Sequence, residues 1–471
     1  MAQKLIAQKL AQIGQSGVLR FYDKLDMEER ERLLGQLDAL DLGMIVNLIE
    51  TQVKVKAPLA LPTDIQPVTT YPRAPRGDQK EHYAKAFARG EELLRQGKVA
   101  AFLVAGGQGT RLGYDGPKGE YPVSPVMNKP LFQLFAEQLL GNARTYGKTI
   151  PWYIMTSDAN DSATRAFFQR HRHFGYDEKD VFFFQQGMMP AFSLTGEMLL
   201  AEKDSLALSP DGHGGSLRAL MKSGALADMK RRGVEHLSYF QVDNPLVHCM
   251  DARFLGLHDL SGSEMSSKTV GKAHALEKVG NFCMADGKVQ VIEYSDLPEA
   301  LAKSTNADGT LRFNAGSIAI HALRVSFIER LNAGGDLNLP WHRAEKKVPF
   351  VDANGKTVKP DAPNAVKLEQ FVFDAIPLAE NAIVYETDRA EEFSPVKNAE
   401  GADSPTTCRR DQVLRAARWL EAAGIDVPKL NDAPDCNLEI SPLYAVSKAQ
   451  LVERKPRVPA INSGQSVYLE K

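Results

Sequence analysis

The chain of 471 residues lacks several things that would point elsewhere. It has only four cysteines, Cys249, Cys283, Cys408 and Cys436, and no C-x-x-C pair. That argues against a disulfide framework and the common zinc spacings, and favours reduced thiols in a cytoplasmic protein. It has almost no net charge: 57 Lys and Arg against 59 Asp and Glu give −2. No global basic field draws in nucleic acid. No apolar run is long enough to span a membrane. The first residues, "MAQKLIAQKLAQIG", lack the continuous apolar stretch of a signal peptide. Without secretion the sequon Asn160-Asp161-Ser162 is an empty match. Repeats and low-complexity tracts are missing too. What remains is an ordinary globular composition, 43% hydrophobic and 25% charged, with a length that suggests about three domains.

The periodicities sort the chain into three parts. Leu33, Leu37 and Leu40 recur at helical spacing near the start. A proline-bearing segment, Lys56 to Asp78, reads as a linker or strap. A helix around residues 79–97 leads into "VAAFLVA", short, apolar and continuous, as expected of a strand buried on both faces. Helices at "KPLFQLFAEQLLGNARTYG", "DSATRAFFQRH" and "GSLRALMKSGALADMKRRG" alternate with strands at "PWYIMTS", "VFFFQQ" and "HLSYFQVD". That alternation predicts βαβ units and a mixed, mostly parallel sheet. "NFCMADGKVQVIEYS" reads as a hairpin turning at Asp286-Gly287. The expected organisation is a helical N-terminal region with strap (1–96), a central α/β domain (97–390) and a small C-terminal domain (391–471).

After "VAAFLVA" comes "GGQGTRLGYDGPKGEYPV", and the glycines raise the question of which anion they hold. No Gly-Lys-Ser/Thr follows, so it is not a P-loop. Gly107 and Gly109 begin a dinucleotide fingerprint, but the next glycine, Gly113, is one residue late. The physics those motifs share survives. Glycines at the end of a strand let backbone N–H groups face a concave anion site. Arg111 and Lys118 add two cations on the same segment. A nucleoside triphosphate meeting a second phosphate brings together roughly six negative charges, given nearly two per terminal phosphate. Catalysis of that encounter is mostly positioning and neutralisation by Arg, Lys and Mg²⁺.

The loop, taken with "FFQQGMMPAF", "SPDGHGGSLRAL", "VDNPLV", "VIEYSDL", "RFNAGSIAIH", "KLEQFVFDAI" and "FSPVKNAEGADSPTT", resembles the UDP-sugar pyrophosphorylase family, and within it the eukaryotic-type UDP-N-acetylglucosamine branch. The resemblance runs from about Lys98 to Glu439. It implies a Rossmann-like, GT-A-like nucleotidyltransferase domain that joins UTP to a sugar 1-phosphate with Mg²⁺ and releases pyrophosphate. It implies that Ala105, Gly106 and Gly107 cradle the nucleotide, with Gln186 on the uracil edge and Pro210 and Gly212 nearby. Arg111, Lys118 and Lys397 become the phosphate-neutralising, catalytic cations. Asp243 stands by the ribose and the metal, and His213, Gly280, Glu293 and Asn314 stand at the sugar.

The residues themselves leave other readings beside these. Asp243 closes a buried strand, where a hard cation prefers oxygen, but it also suits a helix N-cap or turn. Glu293 could be a solvated strand-face charge, Asn314 a turn residue and Lys397 a surface lysine. Lys129 is either a second phosphate contact or a charge at a helix start. His171 and His173 read as surface residues. One position departs from the branch: His213 stands where N-acetylglucosamine enzymes carry asparagine, as in the glucose and broad-specificity branches. The alternative is therefore a UTP–glucose-1-phosphate or broad-specificity enzyme. Two further rivals are a nucleotide-sugar sensor, which would have lost Arg111 or Lys118, and a dinucleotide oxidoreductase, which would need the missing glycine spacing.

Overall fold

In the computed structural model, residues 2–56, 61–334, 337 and 339–470 are described. Residues 57–60 of the expected strap lie outside them. By their contacts the chain forms two compact units that do not follow chain order. The first comprises 1–61, 186–218 and 338–374; the second comprises 62–185, 219–337 and 375–471.

The second unit is built on a ten-stranded sheet. Its strands, numbered in chain order, are β1 Ile65–Pro67, β2 Val99–Val104, β3 Trp152–Thr156, β4 Val181–Gln185, β5 His236–Gln241, β6 Met265–Gly271, β7 Asn281–Ala285, β8 Lys288–Ile292, β9 Ala315–Arg324 and β10 Ala382–Glu386. The path runs β1-β7-β9-β5-β2-β3-β4, with β6 on β9 and β10, and β8 on β7. β5, β2, β3 and β4 pair in parallel. β9 turns the sheet antiparallel on β5. The expected mixed α/β sheet is there, with its parallel strands β5, β2, β3 and β4 side by side where the glycine loop leaves β2. β2 is buried along its first five residues, as its unbroken apolar run predicts.

The chain winds β2, β3, β4 to one side and then places β5 on the other side of β2. The crevice beyond β2 and β5 is therefore the switch point where open α/β sheets take ligands. The core beneath it includes Leu103, Phe132, Phe135, Trp152, Phe168 and Phe240. The expected hairpin is there, with Asp286 and Gly287 both at positive φ (51° and 73°). That is the geometry a two-residue turn needs to match strand twist. The predicted helix over 215–233 is two helices, Gly215–Lys222 and Ala225–Arg232, interrupted where Gly224 takes φ 81°. The end of the strap joins the sheet: β1 pairs β7, and Tyr71 bridges to Tyr385.

The first unit packs helices Ala2–Gln12, Met27–Asp38 and Leu42–Leu48 on short strands around Phe192, Leu200, Val366 and Leu368. The single leucine-rich helix read near the start is broken at Asp41, which caps the second piece by accepting from the Met44 N–H. A third, smaller core in the second unit gathers Trp419, Leu420, Leu438, Tyr444 and Leu469 around helix Pro405–Ala422 and a parallel strand pair, Asn437–Ile440 with Ser466–Leu469. All four cysteines are buried and unpaired. Among the described residues no helix is long and apolar enough to cross a membrane.

Helix Gln79–Arg95 crosses helix Ala252–Leu260 at backbone contact. A Cβ on Gly90 would lie 1.7 Å from the Ala252 carbonyl oxygen, and one on Gly256 would lie 1.7 Å from that of Ala86. Gly→Ala inside an exposed helix gains about 1 kcal/mol. At Gly90 the sign reverses: Gly90→Ala is expected to lose about 2–3 kcal/mol through overpacking, read as a lower midpoint in urea unfolding.

Candidate active site

The loop after β2 is held by its carbonyls. Asn160 donates from Nδ2 to the Ala105 oxygen at 2.9 Å and the Gly107 oxygen at 3.3 Å, while its Oδ1 accepts from the Ser157 N–H. Ser157 Oγ donates to the Gly106 oxygen at 2.8 Å. The Lys118 N–H returns to the Gly107 oxygen at 3.1 Å, and Gly109 N–H reaches the Gly116 oxygen at 2.8 Å. With the carbonyls of 105, 106 and 107 tied back, the N–H groups of Gly106, Gly107 and Gln108 donate to no protein group among the described residues. They form an anion-facing cradle. Asn160 is 1% exposed, so the sequon is a loop clamp. Its role escaped the sequence reading because nothing local shows that it packs under a loop more than fifty residues earlier.

The same loop carries the cations. Gly119 lets "KGE" press on the first turn of helix Leu131–Tyr146, since a Cβ there would lie 2.2 Å from the Phe132 ring. Arg111 is exposed and Lys118 half-buried. Burial pushes the Lys118 ammonium below the usual lysine range; Asp243 opposes that shift, and Lys397 and Arg111 add to it. Four charged groups from three separated segments therefore sense one another. Asp243 sits in the turn after β5, beside the cradle, where Val242 N–H bonds the Val104 oxygen at 3.0 Å. Among the described residues its carboxylate accepts no hydrogen bond and forms no ion pair. It is a half-buried carboxylate with oxygens to spare. Lys397 lies beyond Val396, whose N–H donates to the Asp243 backbone carbonyl oxygen at 2.7 Å, and its Nζ stands 5.7 Å from the Phe393 ring centre.

Lys129 is elsewhere in role. It is buried, and its Nζ donates to both Glu137 oxygens at 2.8 and 2.7 Å and to the Tyr468 hydroxyl. Glu439 joins this cluster by accepting from the Val126 and Met127 N–H groups at 2.8 Å. That is an internal ion pair tying the loop to the C-terminal strands. His171 is exposed, with its ring stacked on Phe174.

Three of the four sugar candidates, Gly280, Glu293 and Asn314, lie at the β7–β9 edge. Ser317 N–H donates to the Gly280 oxygen at 2.8 Å. A Cβ on Gly280 would lie 3.2 Å from Glu293 Oε1, which follows β8. Asn314 Oδ1 accepts from Lys272 N–H at 2.9 Å. Asn314 also lines a cleft of about 470 Å³ with Gly271, Phe282, Arg312 and Arg389.

Gln186, Pro210, Gly212 and His213 belong to the first unit. There Met188–Pro190 pairs antiparallel with Leu208–Pro210, and the Asp211 N–H bonds the Gly187 oxygen. The segment "DGHGG" runs against Gln370: a Cβ on Gly212 (φ 87°) would lie 2.3 Å from the Gln370 oxygen. His213 Nδ1 accepts from Val372 N–H at 3.0 Å, so its proton is on Nε2. Its ring stacks on Phe371 at 5.3 Å. Burial, aided by nearby His342, pushes its pKa down to about 4. His213 is neutral at pH 7.

One group of donors could suggest a metal: His248, Asp251 and Glu392 bring ligand atoms within 4.8 Å of one another. Lys268 already fills that place. Its Nζ lies 2.7 Å from Asp251 Oδ2 and 2.6 and 2.7 Å from the Glu392 oxygens. Burial works against its charge, yet the two carboxylates hold its pKa above the usual range. The ammonium is the resident cation.

The fold and the loop define an α/β nucleotidyltransferase architecture. The family described as UTP–glucose-1-phosphate uridylyltransferase matches residues 65–403. The chain is 39% identical to the UDP-N-acetylhexosamine pyrophosphorylase-like protein 1 of Xenopus tropicalis over 425 residues, 87% of this chain and 83% of that one. It is 38% identical to the UDP-N-acetylglucosamine pyrophosphorylase of Saccharomyces cerevisiae over 436 residues, 88% and 91% of the two chains. The crystal structure of the uridine diphosphate N-acetylglucosamine pyrophosphorylase from Trypanosoma brucei shares the fold, with a TM-score of 0.84 at 24% identity across 100% of this chain and 98% of that one. The chain belongs to the UTP–glucose-1-phosphate uridylyltransferase family, the UDP-sugar pyrophosphorylases.

His213 has a consequence for stability. The unfolded side chain takes a proton near pH 6.5, the folded one only near about 4. Between those values the unfolded state binds more protons, so stability falls as pH falls. Replacing it by a group that does not titrate, His213→Phe, is expected to remove a slope of up to about 1.4 kcal/mol per pH unit over that window. Urea unfolding of both proteins from about pH 7 to about pH 4.5 measures the difference in slope.

Proposed function

We propose that the chain is a UTP:sugar-1-phosphate uridylyltransferase that forms UDP-N-acetylglucosamine and pyrophosphate from UTP and N-acetylglucosamine 1-phosphate. The observation that carries the reading is the meeting of Arg111, Lys118 and Lys397 with Asp243 beside an unpaired N–H cradle at the sheet's switch point. Relatives named for UDP-N-acetylglucosamine support this sugar over glucose.

In this reading the sugar 1-phosphate oxygen attacks the α-phosphorus of UTP in line. A new P–O bond forms, the bond to the β-phosphate breaks, and pyrophosphate leaves with the electron pair. The nucleophile is already ionised, so no general base is needed. Arg111 and Lys118 neutralise charge on the departing pyrophosphate, and Lys397 holds the sugar phosphate. Ala105, Gly106 and Gly107 cradle the nucleotide. Gln186 reads the uracil edge, with Pro210 and Gly212 beside it. Gly280, Glu293 and Asn314 hold the sugar.

A single carboxylate with free oxygens fits Mg²⁺, which keeps waters and takes its other ligands from phosphates. Asp243 would hold it, and when bound it would supply further charge neutralisation. Four unpaired buried thiols support a cytoplasmic setting. With Nδ1 given to Val372, His213 keeps one donor, Nε2–H, for a ligand. That is the specific feature favouring a second reading, in which glucose 1-phosphate is also used.

Pyrophosphate release with UTP and Mg²⁺ tests the sugar. Faster turnover with N-acetylglucosamine 1-phosphate is expected; preference for glucose 1-phosphate would overturn the sugar assignment. The Lys118 shift gives a pH test. kcat/KM for UTP reports the free enzyme, so its alkaline limb should fall below the ordinary lysine value of about 10.4. Lys118→Arg, charged to above about 12, is expected to move that limb upward, and an unmoved limb would remove Lys118 from the charge-bearing set.

A further inference from the structure

We propose that Asn244 is a positioning residue: its side-chain amide clamps the segment 392–396 onto the turn that carries Asp243, and so sets where Lys397 stands over the reacting phosphates. The inference rests on Lys397 acting as proposed above.

Asn244 is 4% exposed. Its Nδ2 donates to the Glu392 oxygen at 2.7 Å, and its Oδ1 accepts from the Ser394 N–H at 3.1 Å. One residue earlier in the turn, the Asp243 oxygen accepts from the Val396 N–H at 2.7 Å. These three bonds zip 392–396 to 243–244 as a strand would, although neither segment is a strand. A side-chain amide replaces one residue's worth of backbone ladder. Both ends of the zipped segment are fixed independently. At one end, the Glu392 carboxylate is gripped by buried Lys268 on β6, with Asp251 as the other partner. At the other, the N–H groups of Lys397 and Asn398 donate to the Asp403 oxygen at 2.7 and 3.0 Å. Arg415 adds a staple from helix Pro405–Ala422, donating to the Leu246 and Glu391 oxygens at 2.9 and 3.0 Å.

The consequence is specific. Asp243, Lys118 and Lys397 come from three distant stretches of chain, and the segment that delivers Lys397 is the one tied to the Asp243 turn by a side-chain amide. Asn244 touches none of the charged groups with its side chain. It spends both polar atoms on the backbone that delivers one of them. A misplacement of about 1 Å costs about 100-fold in such sites, so the amide's value lies in placement.

The test is a double-mutant cycle on the full chain. Lys397→Ala is expected to lower kcat by about 100-fold or more. Asn244→Ala is expected to lower kcat at least about ten-fold with KM for UTP nearly unchanged, since it misplaces one group within about an ångström. In the Lys397→Ala background the same change should cost less than about two-fold, because its effect travels through Lys397. Losses that multiply would mean a general structural role and overturn the proposal, as would an Asn244→Ala enzyme with normal kcat. Asn244→Ser, which keeps one polar atom, serves where the alanine variant folds poorly. Amide hydrogen exchange at Ser394 and Val396 provides a readout independent of turnover: faster exchange in the variants is expected, and unchanged exchange would overturn the clamp. Absence of turnover in the unmutated protein would instead refute the assigned reaction while the exchange result still decides the clamp.

Discussion

Everything at this site depends on holding like charges close without letting them fly apart. Three cations, Arg111, Lys118 and Lys397, share one neighbourhood with a single carboxylate, Asp243. Left alone such a group would separate or lose protons; burial is the main cause of the lowered Lys118 pKa, Asp243 opposes it, and Lys397 and Arg111 add to it. The surrounding structure is a set of restraints against that tendency. Asn160 and Ser157 tie back the cradle's carbonyls. Asn244 and the Asp243 carbonyl hold the Lys397 segment. Each restraint uses neutral amide or hydroxyl groups, so it adds no charge to the place where charge is to be balanced. Polyanionic substrates would relieve the repulsion, and the free protein is poised for them in that sense.

The buried ion clusters lie one layer back and do a different job. Lys268 with Asp251 and Glu392, and Lys129 with Glu137, are internally satisfied. Removing one partner of such a pair leaves a buried charge alone and costs about 3–5 kcal/mol. They therefore pin the segments they join. Lys268 links β6 to the approach of Lys397, and Lys129 with Glu439 links the start of helix Leu131–Tyr146 to the C-terminal strands. Lys129, which the sequence leaves open between a second phosphate contact and a helix-start charge, is one of these pins. The physical reason is that Glu137 lies two turns along the following helix, facing back at it.

His213 shows how one residue type can serve on two accounts. A histidine after glycine in "DGHGG" reads from the sequence as a departure from the N-acetylglucosamine branch, yet its ring is committed: stacked on Phe371, with Nδ1 taken by the Val372 N–H. Burial keeps it neutral. Its ring keeps one donor, Nε2–H, uncommitted to Val372.

Sequence alone determined the elements whose signal is local. The unbroken apolar run of β2, the Asp286-Gly287 hairpin turn and the glycine loop with its two cations follow from propensity and turn chemistry within a few residues. The family followed from many short blocks in order. Only the tertiary structure decided how those blocks combine: that Asp243, Lys118 and Lys397 meet, that Asn160 and Asn244 are clamps, that Lys129 is paired, and that the first 61 residues group with 186–218 and 338–374. Those facts rest on contacts between segments separated by tens to hundreds of residues. No local pattern records them, because an asparagine that ties a distant carbonyl and one that faces water look the same along the chain.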